Sequence, residues 1–165
     1  MCIRSLISAL FAICLFMASP ALPQGADVAF GGLKHDNSKP VEITADSLQL
    51  DQANNSATFL GNVLVGQDSL RMQASRIDVT YSSEAGKVSR MEAIGNVTLT
   101  NGLEAAEAGK ATYDVGTGAI VMEGNVLLTQ GANALSGEKL LIDLESGAAR
   151  MEGRVKTIFQ PVGNP

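Results

Sequence analysis

The sequence predicts an all-β protein: one open antiparallel sheet, folded over on itself and built from four strand-turn-strand repeats. Three observations predict it. The phrase Gly61-Asn62-Val63 returns as Gly95-Asn96-Val97, as Gly124-Asn125-Val126 and, with one change, as Gly153-Arg154-Val155, at steps of 34, 29 and 29 residues. A fixed repeat of roughly 30 residues marks a stacked array of one supersecondary unit. Apolar residues alternate on both sides of each phrase: Ala57/Phe59, Met91/Ala93, Ile120/Met122 and Ala149/Met151 before it, Val63/Val65, Val97/Leu99 and Val126/Leu128 after it. Period two is the signature of a half-buried strand. Hairpin-type residues then punctuate the chain at 51–55, 82–86, 116–118 and 145–147 within repeats, and at 66–68, 101–102 and 131–133 between them.

Taken in order, the chain opens with Arg4, an uncharged, mostly apolar run over 5–18, and Ser19-Pro20-Ala21 before a cut. Residues 1–21 read as a cleaved secretory signal, because the apolar run falls short of the roughly 20 residues a spanning helix needs. Both cysteines, Cys2 and Cys14, lie inside it, so a chain starting near Leu22 has 144 residues and no thiol for a disulfide or a metal. Residues 22–39, glycine-rich and polar, read as a flexible lead-in that holds the lone histidine, His35. Metal sites need several convergent ligands, so His35 reads as solvated. The folded domain is expected over 40–161, followed by a short tail at 162–165.

Within the domain each repeat opens with a first limb whose apolar phase flips. Val41, Ile43 and Ala45 give way to Leu48 and Leu50; Leu70, Met72 and Ala74 to Ile77, Val79 and Tyr81; Ala108 to Ala111, Tyr113 and Val115; Gly137 to Leu140, Ile142 and Leu144. A flip that keeps apolar residues on one side requires a bulge or corner. A strand that turns a corner and still faces the same core makes a folded-over sheet. The glycine of each phrase shares the apolar phase and is expected to point inward. The stretch 104–110 has helix-favouring composition but aligns with the start of a first limb, and reads as strand or loop.

Catalytic chemistry is not visible. Gly116-Thr117-Gly118 lacks the third glycine of a dinucleotide fingerprint and reads as a hairpin turn. Asp46, Asp78, Asp114 and Asp143 recur in outward phases, as solubilising and edge-protecting charges. Without the first 21 residues, 11 basic face 17 acidic residues, a net charge of −6. That excludes nucleic acid as a partner and a polybasic grip on anionic headgroups. The sequence asks for no cofactor and no metal, and the protein reads as a non-enzyme.

The order Pro40-Val41-Glu42-Ile43, Ala45-Asp46, 57–63, 74–81, 86–88, Tyr113-Asp114-Val115, Gly124-Asn125-Val126 and Arg154-Val155-Lys156 resembles the LptA/OstA-like family of lipopolysaccharide-transport proteins. The likeness runs from about residue 40 to 161. It implies a β-jelly roll, a periplasmic location and a continuous apolar groove carrying lipopolysaccharide from the inner to the outer membrane. It also implies partners: the lipid A acyl chains, the jelly-roll domains of inner- and outer-membrane transport components, and further copies of the chain joined head to tail. Its lipid-path positions correspond to Val41, Ile43, Leu99, Tyr113 and Val115.

The residues add their own reading. Phe59, Met72 and Met122 share the inner apolar phase and join the candidate lipid-binding set, although plain core packing is the commoner role of such residues. A ~12-carbon acyl chain gains on the order of 10 kcal/mol on leaving water, at roughly 0.8 kcal/mol per methylene. Unprotected first and last strands invite pairing with other chains. Val41, Glu42 and Ile43 at one end and Val155, Lys156, Ile158 and Phe159 at the other form the candidate interface. Glu42 and Asp46 would face Arg154 and Lys156 of a neighbour, favouring head-to-tail contact. Two other readings stay open: an inner-membrane-anchored relative of the same transport system, and a structural β module with no lipid ligand.

Overall fold

The computed structural model describes residues 26–29, 38–82 and 86–159. The expected signal at 1–21, His35, the 162–165 tail and Pro161 lie outside these residues. The strands are β1 (Ala26–Ala29), β2 (Glu42–Thr44), β3 (Ser47–Asp51), β4 (Ser56–Gln67), β5 (Leu70–Tyr81), β6 (Val88–Thr100), β7 (Glu104–Asp114), β8 (Ala119–Gln130), β9 (Asn133–Asp143), β10 (Ala148–Glu152) and β11 (Lys156–Ile158). They form one antiparallel sheet in the order β1-β10-β9-β8-β7-β6-β5-β4-β2, with β3 also on β4 and β11 also on β9. The stretch 104–110 is therefore strand, its helix-favouring composition overruled by pairing on both sides.

Every long strand turns the expected corner. The register slips between Leu60 and Val63, Gln73 and Arg76, Ile94 and Val97, Glu107 and Lys110, and Glu123 and Val126. At each corner Gly-Asn inserts one extra residue opposite the next strand: Gly61-Asn62 against Ser75, Gly95-Asn96 against Gly109, Gly124-Asn125 against Glu138. Such a bulge bends its strand and raises the local twist. The corners divide the sheet into two leaves. The upper leaf holds 56–60, 76–81, 90–94, 110–114, 119–123 and 139–143, edged by β3 and β10; the lower holds 63–67, 70–74, 97–100, 104–108, 126–130 and 133–137, edged by β2 and β11.

The expectation that the corner glycines point inward is overturned. Gly124 and Gly153 are exposed, and Gly61 and Gly95 are only half-buried. Their role is conformational: Gly61, Gly95, Gly124 and Gly153 have φ of +77°, +82°, +88° and +78°, and the residues after them, Asn62, Asn96, Asn125 and Arg154, are left-handed too. A left-handed pair breaks simple alternation, so a phase count carried through it fails. Asparagine is among the few non-glycine residues that accept this region readily, which explains the choice of Asn in three of four phrases.

The core lies between the leaves. Ile77, Met91, Tyr113, Ile120, Met122, Leu140 and Met151 of the upper leaf and Val63, Val97, Leu99, Val126 and Leu128 of the lower are almost wholly buried. The aspartates do more than solubilise. Asp114 Oδ1 accepts the Thr117 amide at 2.9 Å, and Asp143 Oδ1 accepts those of Glu145 and Ser146 at 2.9 and 3.0 Å, closing two hairpin turns. Asp78 accepts from Arg76 and from the Thr58 hydroxyl, and Asp46 from Asn62. The lead-in is also more structured than its composition suggests: Ala26–Ala29 pairs with β10.

Candidate functional site

Strand alternation puts one apolar side chain in two on the face between the leaves, and burial follows that pattern strand after strand. Of the sequence-derived lipid-path residues, Met72, Leu99, Tyr113 and Met122 sit in the packed core at 3%, 1%, 1% and 0% exposure. Val41, Ile43, Phe59 and Val115 are half-buried and pack against that core from its margin. The eight therefore share one apolar face, but in two layers: four closed inside and four at the rim.

The rim is open at the β3 edge. Leu48 and Leu50, in register with Phe59 and Ala57, are 51% and 66% exposed. At the opposite edge Phe159 is 74% exposed. Of the sequence-derived interface residues, Val155 is half-buried, while Glu42, Lys156, Ile158 and Phe159 are open to solvent. β11 is only three residues long, so Phe159 lies beyond its end.

A polar clasp links the leaves. The Tyr113 hydroxyl of the upper leaf donates to Gln67 Oε1 of the lower at 2.9 Å, and Gln67 Nε2 donates to the Lys39 carbonyl at 2.9 Å. Burial, with the Asp114 charge beside it, pushes the Tyr113 phenol up to about 12, so it remains a donor at any physiological pH. Beside the clasp Val65, Leu70 and Met72 face Met91 and Tyr113 across a gap of about 10 Å³, too small for an acyl chain. A chain-like ligand could enter between the leaves only if they parted. Sequence reasoning missed Gln67, which sits at an apolar-phase position that a polar residue seldom fills without a buried partner. It missed Glu104 in the same way. This carboxylate is 6% exposed and accepts from Gln130 Nε2 at 2.5 Å.

Among the described residues no cluster of His, Cys, Asp and Glu could hold a metal ion. The site offers apolar area and shape rather than reactive groups.

The two edges are unfinished copies of the internal junctions. Inside the sheet the valine after each corner pairs with the small residue opening the next repeat: Val63 with Ala74, Val97 with Ala108, Val126 with Gly137. Among the described residues Val155 and Ala45 have no such partner on their outer sides.

Comparisons with known proteins agree with this architecture. Residues 42–148 match the family described as LptA/(LptD N-terminal domain) LPS transport protein. An uncharacterised protein of Rhizobium meliloti is 29% identical over 114 residues, 65% of this chain and 61% of that protein. The lipopolysaccharide export system protein LptA of Haemophilus influenzae is 34% identical over 109 residues, 62% of each chain. The alignments thus span about three fifths of these relatives' own length. The crystal structure of LptH, the LptA-homologous periplasmic component of the lipopolysaccharide transport device of Pseudomonas aeruginosa, superposes with a TM-score of 0.69. It is 19% identical and covers 76% of this chain and 99% of its own.

Proposed function

The chain belongs to the LptA/(LptD N-terminal domain) family of LPS transport proteins, and from that premise we propose that it is a periplasmic bridge. In this reading it carries lipopolysaccharide between the inner and outer membranes, holding the acyl chains on the apolar face between its leaves. The observation that carries the proposal is that face: it crosses the sheet from β2 and β3 to β10 and β11, with Gln67 and Glu104 as buried polar side chains on its lower leaf, and β2 with β3 is complementary in register to β11 with β10.

The polarity of the strands supports assembly. Alternation through the sheet leaves β3 antiparallel to β10, and β2 antiparallel to β11, when the first edge of one copy meets the last edge of another. Continuing the internal register pairs Val155 with Ala45 of the neighbour, Thr157 with Ile43, Phe159 with Val41, Met151 with Leu48 and Ala149 with Leu50. Each pair brings inner-phase residues together, so the apolar face would continue from copy to copy. Exposed Leu48, Leu50 and Phe159 would gain cover. Lys156 would lie diagonal to Glu42, within the reach of a cross-strand charge pair. Such a contact does not close, so it yields a series of oligomers or a junction with a like-folded domain. The jelly-roll domains of inner- and outer-membrane components are the partners this geometry suits.

On this reading the apolar surface does the holding and the acidic balance leaves phosphates to solvent. Parting of the leaves against the Tyr113–Gln67 clasp admits the chains. No bond is made or broken, so the protein acts as a carrier and not an enzyme.

Sedimentation velocity over a concentration series tests the assembly. The wild type should grow with concentration. Ile158→Pro, which removes a ladder donor from the last strand, should remain a folded monomer. A wild type that stays monomeric and binds no jelly-roll partner, or an Ile158→Pro variant that still assembles, would refute it.

A further inference from the structure

The upper half of the last edge is not bare: β1 already lies on it. Ala26 pairs with Met151, Asp27 with Arg150, Val28 with Ala149 and Ala29 with Ala148. The register proposed for the neighbour's β3 assigns Leu48 to Met151, Gln49 to Arg150, Leu50 to Ala149 and Asp51 to Ala148. Residues 26–29 therefore take the places of residues 48–51 of the next copy, one for one, in the same strand direction and on the same leaf. The lower half of that edge, β11, has no strand on its outer side among the described residues.

We propose that β1 is a built-in guard strand, an intramolecular stand-in for β3 of a second copy, which must leave β10 before head-to-tail contact can form. This rests on the assembly reading above. An uncovered edge is a template for indiscriminate pairing, and β1 covers it with the chain's own residues. The guard is built to be displaced. It offers four rungs on β10, whereas an incoming copy offers the five residues of β3 on that strand and the three of β2 on β11. It sets Ala26 and Val28 at the register positions where the incoming strand sets Leu48 and Leu50, larger apolar residues that are 51% and 66% exposed. The neighbour thus succeeds through apolar area and length. A guard seated in about nine chains of ten weakens the apparent association about tenfold, since affinity scales with the fraction of free edges.

A double-cysteine variant, Val28→Cys/Ala149→Cys, tests this. The protein is purified after export, when the expected leader with Cys2 and Cys14 is gone. Directly opposed residues of an antiparallel pair lie within the Cα separation that a disulfide spans. Oxidation should cross-link each chain to itself, seen by mass, and sedimentation velocity should then show loss of concentration-dependent growth, with reduction restoring it. A companion variant, Asp27→Pro/Val28→Pro, cannot seat the guard and should associate about tenfold more tightly than wild type. Oxidised protein that assembles as well as reduced protein would overturn the guard while leaving head-to-tail assembly intact. Cross-links found only between chains would overturn it in favour of strand exchange. Failure of the reduced protein and the proline variant alike to assemble would overturn the assembly reading and the guard with it.

Discussion

Substitution of Gly124 separates two explanations of the corner phrase. If the glycine were needed only because its site has room for a Cβ and nothing larger, alanine would fit almost freely and valine would cost about 1–3 kcal/mol from overpacking. The structure argues otherwise. A Cβ built at Gly124 meets nothing closer than the Gly109 backbone nitrogen at 3.6 Å, an ordinary contact, while φ is +88°. The cost is then conformational, roughly 1–2 kcal/mol for any L-residue with a Cβ. About 0.5 kcal/mol is offset because alanine also restricts the unfolded chain. Gly124→Ala should therefore destabilise by about 1 kcal/mol and Gly124→Val by about 2 kcal/mol, its branched Cβ fitting left-handed backbone worst. Gly124→Asn should cost least of the three, for the reason that Asn occupies position 125. Gly109 provides the control. It faces Gly124 but is not left-handed, and its Cβ would lie 3.6 Å from the Glu123 carbonyl oxygen. Gly109→Ala should leave stability unchanged or raise it slightly. Urea unfolding followed by circular dichroism gives all four values; at about 3–6 °C per kcal/mol, thermal melts resolve them too. A Gly124→Ala midpoint equal to wild type, with only Gly124→Val destabilised, would refute the conformational account.

Two further predictions follow from the site and the turns. Tyr113→Phe removes the hydroxyl that donates across the leaves to Gln67, and should lower unfolding free energy by about 1 kcal/mol, the net worth of one hydrogen bond; an unchanged urea midpoint would show that the clasp bears nothing. Backbone amides of Thr117 and Ser146 hold the Asp114 and Asp143 carboxyls below the usual carboxylate range. A folded-state pKa below the unfolded value gives stability that is fully present above about pH 4 and is lost as pH falls through the folded value. The urea midpoint should thus drop between pH 5 and pH 2. In Asp114→Asn/Asp143→Asn, which keeps an acceptor but cannot titrate, the drop should be smaller; an equal drop would place the acid sensitivity elsewhere.

The long strands and their corners were legible because each repeats a local rule: period-two alternation, a phase flip, and turn residues at fixed places. The direction of the corner glycines was not, since left-handed φ at two successive residues resets the alternation on which the count depends. β1 was hidden for a different reason. Ala26-Asp27-Val28-Ala29 is too short to show a period, and its strand character comes from the free edge of β10, more than 100 residues away in sequence. The apolar face was readable residue by residue, but its division into a closed core and an exposed rim was not. Ile43 and Met72 share the same phase; only the depth of covering sheet distinguishes them. Gln67 carried a usable signal, a polar side chain in an apolar phase at the end of Val63/Val65, although its partner Tyr113 lies 46 residues away and could not be named from spacing.

The central claim is that lipopolysaccharide travels on the face between the leaves, and site-specific photo-crosslinking tests it most directly. A photoreactive residue placed at Ile43 or Val115, half-buried on the margin of that face, should capture lipopolysaccharide in cells. The same residue at Asp46 or Asn125, exposed on the outside of the corners, should capture none. Equal capture at both pairs of positions, or capture at Asp46 and Asn125 alone, would contradict the account.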